Sequence, residues 1–337
     1  MLLVKPFSGS QIQMANGLYM LKSEAKFKSS WITPVGAIAA IAESLGVKAD
    51  ETTVCGVSGF AFRLAVADQV LPVFNSSYIW FDVFQSTFDR LGIVVSIWKS
   101  AQGQLSHQWY CDEAIKSIES SLKNGLPSMV WESFEFGLLT GLDLEKQAWV
   151  SDGVSGIVSH QISMFGNGEV PIMFAAVPHS AHEIDIKQQT LMSLRLAVSV
   201  GFTSKPSYPS DLHIVTGVEA YKKWSEQLEK DFNTYGNSLL VQIALESRKH
   251  AALYLARVSK LFEGVPQNLL LRASERFAQV NSKLSKVAKC FRFPGKKEDV
   301  NKENITESQE ALNDCYIMEN EGLQLIATAI ENLDAKN

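Results

Sequence analysis

The sequence GLPSMVWESFEFGLLTGLDLEKQAWVSDG occupies residues 125–153 and decides the fold class. It holds three apolar runs, at residues 128–134, 136–142 and 147–150, and glycine, proline and aspartate bound them. Apolar runs of this length with such boundaries are typical of buried β-strands. We therefore predict a central sheet whose strand ends carry carboxylates, and we expect a functional site at those ends.

Four acidic residues of this stretch are candidates for that site, and each has a structural alternative. Burial raises the pKa of a carboxyl group and could make it a general acid or base. Aspartate is also favoured in turns, where it binds local backbone amides, and a glutamate can simply face a polar groove. A carboxylate inside an apolar run needs a partner, which makes Glu135 the most informative of the four. The candidates are Glu132, Glu135, Asp143 and Asp152.

Composition restricts the class of protein. The 337 residues are 46% hydrophobic and 20% charged, with a net charge of −5, which argues against a nucleic-acid-binding surface. The N-terminus lacks a signal-peptide pattern, and no run has the roughly 20 apolar residues that span a bilayer. The four cysteines have no CxxC spacing, and no phosphate-binding or dinucleotide motif occurs. We expect a cytoplasmic protein without a metal, a cofactor, a nucleic-acid partner or a membrane partner.

Upstream of the sheet, a helix start is signalled before the segment VGAIAAIAESLG. We predict that Thr33 caps this helix with its hydroxyl, that Pro34 occupies the first helical position and that Gly46 ends it. Residues 51–64 combine small residues with aromatic ones, and we predict a tight loop or a strand-like entry there.

Downstream of the sheet, the pattern changes twice. Alternation over residues 157–165, a glycine-rich turn and an apolar run at 170–177 predict a hairpin or a sheet edge. From about Ile184 onward, apolar residues recur at helical spacing, which is typical of a helical bundle. We therefore predict an α/β domain over residues 1–184 and a helical bundle over residues 185–337.

Two further residues are candidates outside the sheet. Cys55 has glycine and serine neighbours and could be a nucleophile if a base lowers its pKa, although cysteine is commonly a small buried hydrophobe. No histidine follows at a recognisable catalytic spacing, and His107 lies in a polar segment that we predict as loop-like. Arg63 can pair with a buried carboxylate or bind an anionic ligand.

The order of these segments resembles proteins with an N-terminal domain like that of butirosin biosynthesis protein H, followed by a helical domain. That N-terminal domain is similar to the papain-like peptidase fold of bacteriocin-processing transporters. The resemblance implies an α+β papain-like N-terminal domain with a central antiparallel sheet, followed by an all-α helical C-terminal domain. The segments that carry it are WITPVGAIAAIAESLG, EFGLLTGLD, KQAWVSDG, AYKKW, ESRKHAALYL and CFRFP.

The resemblance also implies a catalytic cysteine at the helix start, a histidine at one strand start and an aspartate after the next strand. The cysteine position falls on Ile32 or Thr33, and the histidine position falls on Glu135, or on Phe136 if the register moves by one. Only Asp152 keeps the expected residue type. A Cys–His mechanism needs both missing groups, and a threonine hydroxyl needs stronger activation than a carboxylate usually gives. Acyl transfer or amide hydrolysis would be the implied activity if any remains.

Two hypotheses follow. The first is a catalytically altered papain-like protein, a pseudoenzyme that binds a small molecule or an acyl or peptidyl group in the former catalytic groove, in specialised natural-product metabolism. The second is a structural or interaction protein that forms a homodimer through its C-terminal helices. The predicted catalytic residues are Thr33, Glu135 and Asp152, and the predicted ligand-binding residues are Ser30, Trp31, Cys55, Ser58, Arg63 and Glu132.

Overall fold

The chain forms two compact units in the computed structural model. The first unit comprises residues up to Val54 together with Trp80–Ile184, and the second comprises Cys55–Ile79 and Asp185–Asn337. The chain passes from the first unit to the second for the last time between Ile184 and Asp185. The structure describes residues 20–71, 78–132, 134–206, 213–230, 232–296 and 300–335.

The fold mixes helices with one large antiparallel sheet, as predicted. Four helices begin before Ile184, and five follow Asp185, where the sequence predicts a bundle. Within the described residues the α-helices are α1 (Thr33–Ser44), α2 (Glu51–Ser58), α3 (Trp80–Arg90), α4 (His107–Lys123), α5 (Ile186–Phe202), α6 (Ala220–Gln227), α7 (Thr234–Val258), α8 (Val265–Cys290) and α9 (Lys302–Asp334).

The central sheet belongs to the first unit, and every described strand pair in it is antiparallel. Its order is β3-β8-β4-β5-β6-β7, and β1 pairs with the far end of β5. A separate pair, β2 with β9, lies in the second unit, so a two-residue strand interrupts the region predicted to be all-α. The strands are β1 (Met20–Lys22), β2 (Ala65–Val66), β3 (Ile93–Ala101), β4 (Ser128–Trp131), β5 (Phe136–Asp143), β6 (Ala148–Gly153), β7 (Gly156–Gln161), β8 (Ile172–Ala181) and β9 (Val215–Thr216).

The decisive stretch supplies the middle of this sheet. The three predicted strands are β4, β5 and β6, and all eight residues of β5 are buried. One face of the sheet packs on α4 through Val130, Leu139 and Ala175. Successive residues of a strand point to opposite faces, so Phe136 and Phe174 lie on the other face, where Trp80 and Phe84 of α3 and Trp131 of β4 complete an aromatic cluster.

Residues 157–165 and 170–177 do not form the predicted hairpin, although β7 does lie at an edge of the described sheet. Strand β8 lies inside the sheet, because Ala176 pairs with Ile97 of β3 on one side and with Met129 of β4 on the other. Strand β7 pairs instead with β6, through a turn at Gly153–Gly156. Alternation shows that a segment is a strand, but it carries no information about which distant strand becomes its neighbour.

Helix α1 is the most buried helix of the first unit, since every residue from Thr33 to Ala42 is buried. Its alanine and isoleucine content explains this, and Pro34 lies at its start as expected. The prediction that Thr33 caps the helix is wrong. The N-cap residue is Ile32, which has no side-chain acceptor, and Thr33 is the first helical residue. Its hydroxyl is therefore free to bond elsewhere.

The prediction for residues 51–64 is also wrong, because they form α2 and a 3₁₀ turn at Phe60–Phe62. Asp50 starts the helix by accepting a hydrogen bond from the backbone of Thr53 at 2.9 Å. Residues 55–79, which the prediction assigned to the first domain, group with the second unit. A side chain at Gly56 would overlap the ring of Tyr254, so only glycine allows this close packing on α7.

The second unit encloses a buried ion pair. Arg248 donates to both carboxylate oxygens of Glu319, at 2.6 and 2.8 Å, and the hydroxyl of Tyr221 donates to Glu319 Oε2 at 2.7 Å. All three side chains are fully buried. Burial by itself disfavours the charged guanidinium, yet the adjacent Glu319 holds the pKa of Arg248 above its ordinary value. This network joins α6, α7 and α9.

No helix in the described part of the chain combines the length and the apolar character needed to cross a membrane.

Candidate functional site

Thr33 and Glu135 lie 102 positions apart in the sequence and are joined by a hydrogen bond. The hydroxyl of Thr33 donates to Glu135 Oε2 at 2.8 Å and accepts from the backbone N–H of Phe136 at 3.2 Å. Thr33 is only 3% exposed. Both the proton and a lone pair of this hydroxyl are therefore directed into the protein.

Two tight turns bring the pair together. Before α1, the Ser30 hydroxyl bonds to the backbone N–H and to the carbonyl of Ile32, both at 3.0 Å. Between β4 and β5, the hairpin is closed by the pairing of Trp131 with Phe136 and by the N–H of Glu132, which donates to the carbonyl of Glu135 at 2.8 Å. Glu135 thus ends the hairpin turn at the point where its side chain meets the first turn of α1.

Burial raises the pKa of Glu135, and the hydrogen bond from Thr33 acts in the opposite direction because it favours the ionised form. A partly buried carboxyl with a raised pKa has the property that a general acid or base needs. Its described partner is a threonine hydroxyl, however, where a papain-like site would need a thiolate.

Glu132 lies over two glycines on the face of the sheet that carries Val130 and Leu139. A side chain at Gly137 would overlap Glu132 Oε1, and a Cβ at Gly153 would lie 3.1 Å from Oε2. The two glycines therefore create the space that the carboxyl group fills. Within the described residues Oε1 is buried and has no hydrogen-bond partner.

The pKa of Glu132 is also raised, chiefly by burial. A hydrogen bond with Ser151 lowers it in part, and the neighbouring Asp152 carboxylate raises it further. Ser151 in turn lies 3.3 Å from His160 Nε2, and the imidazole stacks on Trp149 with ring centroids 4.3 Å apart. Burial lowers the pKa of His160 and favours the neutral imidazole. Ser151 is fully buried, so these contacts form a polar layer within the sheet and do not expose a nucleophile.

Asp152 keeps the residue type that the resemblance implies, and its described hydrogen bond has a structural purpose. Its Oδ2 accepts from the backbone N–H of Phe27 at 2.9 Å. This bond fastens the segment that leads into α1 against β6. Asp152 therefore anchors this segment, and the bond described for it does not reach Glu135.

Trp31 and Phe134 are the exposed aromatic residues next to the pair. Trp31 lies two positions before Thr33 and is 40% exposed, and Phe134 lies one position before Glu135 and is 59% exposed. Trp31 was predicted from the sequence to bind a ligand, whereas Phe134 was predicted only to belong to a strand. The position of Phe134 at a hairpin turn, beside a candidate carboxylate, was the signal that could have identified it as a binding residue.

The predicted ligand-binding residues Cys55, Ser58 and Arg63 belong to the second unit. Cys55 and Ser58 are buried, and the Ser58 hydroxyl donates to the carbonyl of Cys55 at 3.2 Å. The guanidinium of Arg63 lies over the ring of Tyr78, 5.7 Å from its centroid. These contacts hold the second unit together.

A Cys–His pair exists on α4, where the sequence predicts a loop-like environment for the histidine. Cys111 Sγ lies 3.7 Å from His107 Nε2, which also faces the carbonyl of Gly166 at 3.1 Å and the side-chain oxygen of Asn167 at 3.2 Å. Carbonyl oxygens only accept hydrogen bonds, so Nε2 carries the proton and cannot accept one from the thiol. Burial raises the pKa of Cys111 to about 11. The pair is therefore structural, although its i, i+4 spacing was visible in the sequence.

Asp143 is a turn residue, as the alternative interpretation holds, because its Oδ1 accepts from the backbone N–H of Lys146 at 2.9 Å. No group of three or more His, Cys, Asp or Glu side chains within the described ranges is arranged to hold a metal ion.

Comparison of the chain with protein-family models and with curated proteins found no match in either case. The resemblance to the butirosin H family therefore stays a prediction.

Proposed function

We propose that the first unit is a papain-like domain that binds a small molecule or an acyl or peptidyl group beside Glu135, without a cysteine nucleophile. One observation carries this proposal. The two positions that the resemblance assigns to cysteine and histidine hold Thr33 and Glu135, whose side chains meet at 2.8 Å. A papain-like site likewise brings a helix start and a strand start together, but it places a thiol and an imidazole there.

The geometry argues against Thr33 as a nucleophile. Its hydroxyl is buried, donates its proton to Glu135 and accepts from Phe136. An attacking oxygen needs a free lone pair directed at the substrate and a base strong enough to take its proton. A carboxylate meets the second requirement poorly, and the burial of Thr33 excludes the first. Binding without cleavage is the function that this site supports best.

Exposed aromatic surface supports a binding role. Trp31 and Phe134 flank the two members of the pair along the chain. Aromatic side chains contribute large contact areas to ligand sites, and a carboxyl group with a raised pKa can offer either a donor or an acceptor to an amide or a thioester. We assign these two aromatic residues to the apolar part of the ligand and Glu135 to its carbonyl or amide group.

Fluorescence titration tests the binding with two probes, N-acetyl-Leu-Phe-amide for a peptidyl group and octanoyl-N-acetylcysteamine for an acyl group. We expect saturable binding of one of them and no hydrolysis of the thioester. Phe134→Ala and Glu135→Ala should weaken the binding at least about tenfold, the usual effect of losing an anchor residue. Trp109→Ala, at a tryptophan that is 56% exposed on α4, is the matched control and should not. Two results contradict the proposal: no saturable binding of either probe, or an equal loss with Trp109→Ala.

Restoring the family's residues tests the papain-like assignment separately. In the double variant Thr33→Cys/Glu135→His, we expect the ultraviolet absorbance of a thiolate at pH 6, because a neighbouring imidazole lowers the pKa of a cysteine. The single variant Thr33→Cys should show this absorbance only above about pH 8.5, the ordinary pKa of a free thiol, because burial and the Glu135 carboxylate both disfavour the thiolate. Equal pH profiles for the folded single and double variants would refute the assignment.

A further inference from the structure

A cavity of about 450 Å³ lies in the first unit at the far end of α1 from Thr33. Its walls are the segment 23–28, the last turns of α1 at Ala40 and Glu43, and the turn at 124–126 that follows α4. A helix rises 1.5 Å per residue, so the lining residues Ala40 and Ser44, seven and eleven positions after Thr33, place the cavity about 10–16 Å along the helix axis from Thr33. The cavity is therefore a separate site.

The walls are fixed by specific contacts. The Ser23 hydroxyl donates to the carbonyl of Gly125 at 2.8 Å, and the Ser23 N–H donates to the carbonyl of Thr140 at 2.7 Å. Asp152 holds the other end of the segment through Phe27. A side chain at Gly36 would overlap the carbonyl of Lys28, so this glycine lets the segment lie directly against α1. A cavity with walls fixed in this way is formed before a ligand arrives, as small-molecule sites usually are.

The lining carries both signs of charge. Lys28 Nζ lies 2.5 Å from Glu43 Oε2, and their side chains are 35% and 69% exposed, so both heads can reach a ligand at the mouth. Lys26 and Glu24 add a second charge of each sign. The C-terminal ends of α1 and α4, at Ser44 and Asn124, add partial negative charge.

The apolar part of the lining is contributed by Ala25, Ala40 and Leu126. A bare anion would face two glutamates and two helix C-termini, and a bare cation would face two lysines. A purely apolar ligand would remove these charges from water without compensation. A molecule with an ammonium group, a carboxylate and an apolar side chain satisfies all three parts of the lining.

We propose that this cavity binds a free α-amino acid with an apolar side chain. Lys28 and Lys26 bind its carboxylate, Glu43 and Glu24 bind its ammonium group, and the side chain lies against Ala40 and Leu126. The proposal does not depend on the function proposed for the Thr33–Glu135 site, because the two sites share no side chain.

Isothermal titration of the full-length protein with L-leucine tests the proposal. We expect saturable binding of L-leucine. We expect at least about tenfold weaker binding of 3-methylbutylamine, which lacks the carboxylate, and of 4-methylpentanoate, which lacks the ammonium group, because each loses a charge-assisted hydrogen bond. This comparison uses the unaltered protein and is independent of any effect of substitution on folding.

Variants then locate the site. Lys28→Met and Glu43→Gln should each weaken L-leucine binding at least about tenfold. The matched controls are Lys116→Met and Glu113→Gln, which alter a surface ion pair of 2.6 Å on α4 in the same unit, and they should leave binding unchanged. Three results overturn the proposal: no saturable binding of L-leucine, equal affinity for a single-charge analogue, or an equal effect of the control variants. None of them bears on the acyl and peptidyl probes of the other site.

Discussion

The substitution Thr33→Val tests whether the hydroxyl of Thr33 stabilises the fold. Valine has nearly the volume of threonine, so packing of α1 against the sheet is kept and only the hydroxyl is lost. Two hydrogen bonds disappear, the one to Glu135 at 2.8 Å and the one from the backbone of Phe136 at 3.2 Å. The buried N–H of Phe136 then has no acceptor at this position, which costs about 1–3 kcal/mol. A hydrogen bond to a charged group contributes about 1.5–3 kcal/mol, and Glu135 recovers part of this by becoming protonated.

We therefore expect Thr33→Val to lower the free energy of unfolding by about 2–4 kcal/mol. At about 2–4 °C per kcal/mol for a unit of this size, the Tm should fall by about 5–15 °C. Urea denaturation followed by tryptophan fluorescence measures the free energy, and calorimetry measures the Tm. Thr33→Ser keeps the hydroxyl and serves as the control, with an expected loss of about 1 kcal/mol from the deleted methyl group. A loss below about 0.5 kcal/mol for Thr33→Val, the size of an ordinary surface substitution, would refute the structural role of this hydroxyl.

Two further predictions concern buried charge. Burial raises the pKa of Glu132 and of Glu135 above the ordinary 4.5, so the native state binds their protons more tightly than the unfolded state. The free energy of unfolding should then fall as the pH rises from about 4.5 through the raised pKa values, and it should level off above them. The double variant Glu132→Gln/Glu135→Gln should flatten this dependence. Urea titrations between about pH 4 and 8 measure it. A steeper dependence in the double variant contradicts the assignment. In the second unit, Arg248→Met leaves Glu319 as a buried charge without its ion-pair partner, and it should lower the free energy of unfolding by about 3–5 kcal/mol. The triple variant Arg248→Met/Glu319→Leu/Tyr221→Phe leaves no buried charge, and it should recover most of that free energy. Urea denaturation of both variants decides this, and a triple variant no more stable than the single one contradicts it.

The sheet and the helices were predictable because their signals are local. The runs at 128–134, 136–142 and 147–150 have the length and boundaries of buried strands, and they are β4, β5 and β6. The errors concern which distant elements become neighbours in the fold. The apolar run of β8 was expected to form a hairpin or a sheet edge, but β8 lies between β3 and β4, which pair with it from distant parts of the chain. Similarly, α2 has glycine and serine in place of strong helix formers, and its packing of Gly56 on Tyr254 overrides the weak local preference.

The candidate site was predictable only in outline. The sequence identified Thr33 and Glu135 as positions of interest through a resemblance, but it did not show that their side chains would meet, because a hydrogen bond over 102 positions leaves no periodic signal. Glu132 was also predicted from the sequence to bind a ligand. The space over Gly137 and Gly153 that its carboxyl group fills is formed only when β5 pairs with β6, so the sequence does not show it. The anchoring of Phe27 by Asp152 was invisible for the same reason.

On the proposed papain-like assignment, the hydrogen bonds of Thr33 and Asp152 explain how the architecture of the site is kept without its catalytic chemistry. The hydrogen bonds of Thr33 to Glu135 and Phe136 hold the start of α1 against the hairpin. The hydrogen bond of Asp152 to Phe27 holds the segment before α1 against β6. Both ends of the path into α1 are thus held by side chains at positions that the resemblance assigns to catalysis. A thiolate and an imidazolium at the first of these positions would have to stay mobile enough to react, whereas a threonine and a glutamate can be buried and fully bonded. On the proposed papain-like assignment, bonded side chains at these positions give a rigid wall in place of a reactive pair, and a pre-formed binding site requires such rigidity.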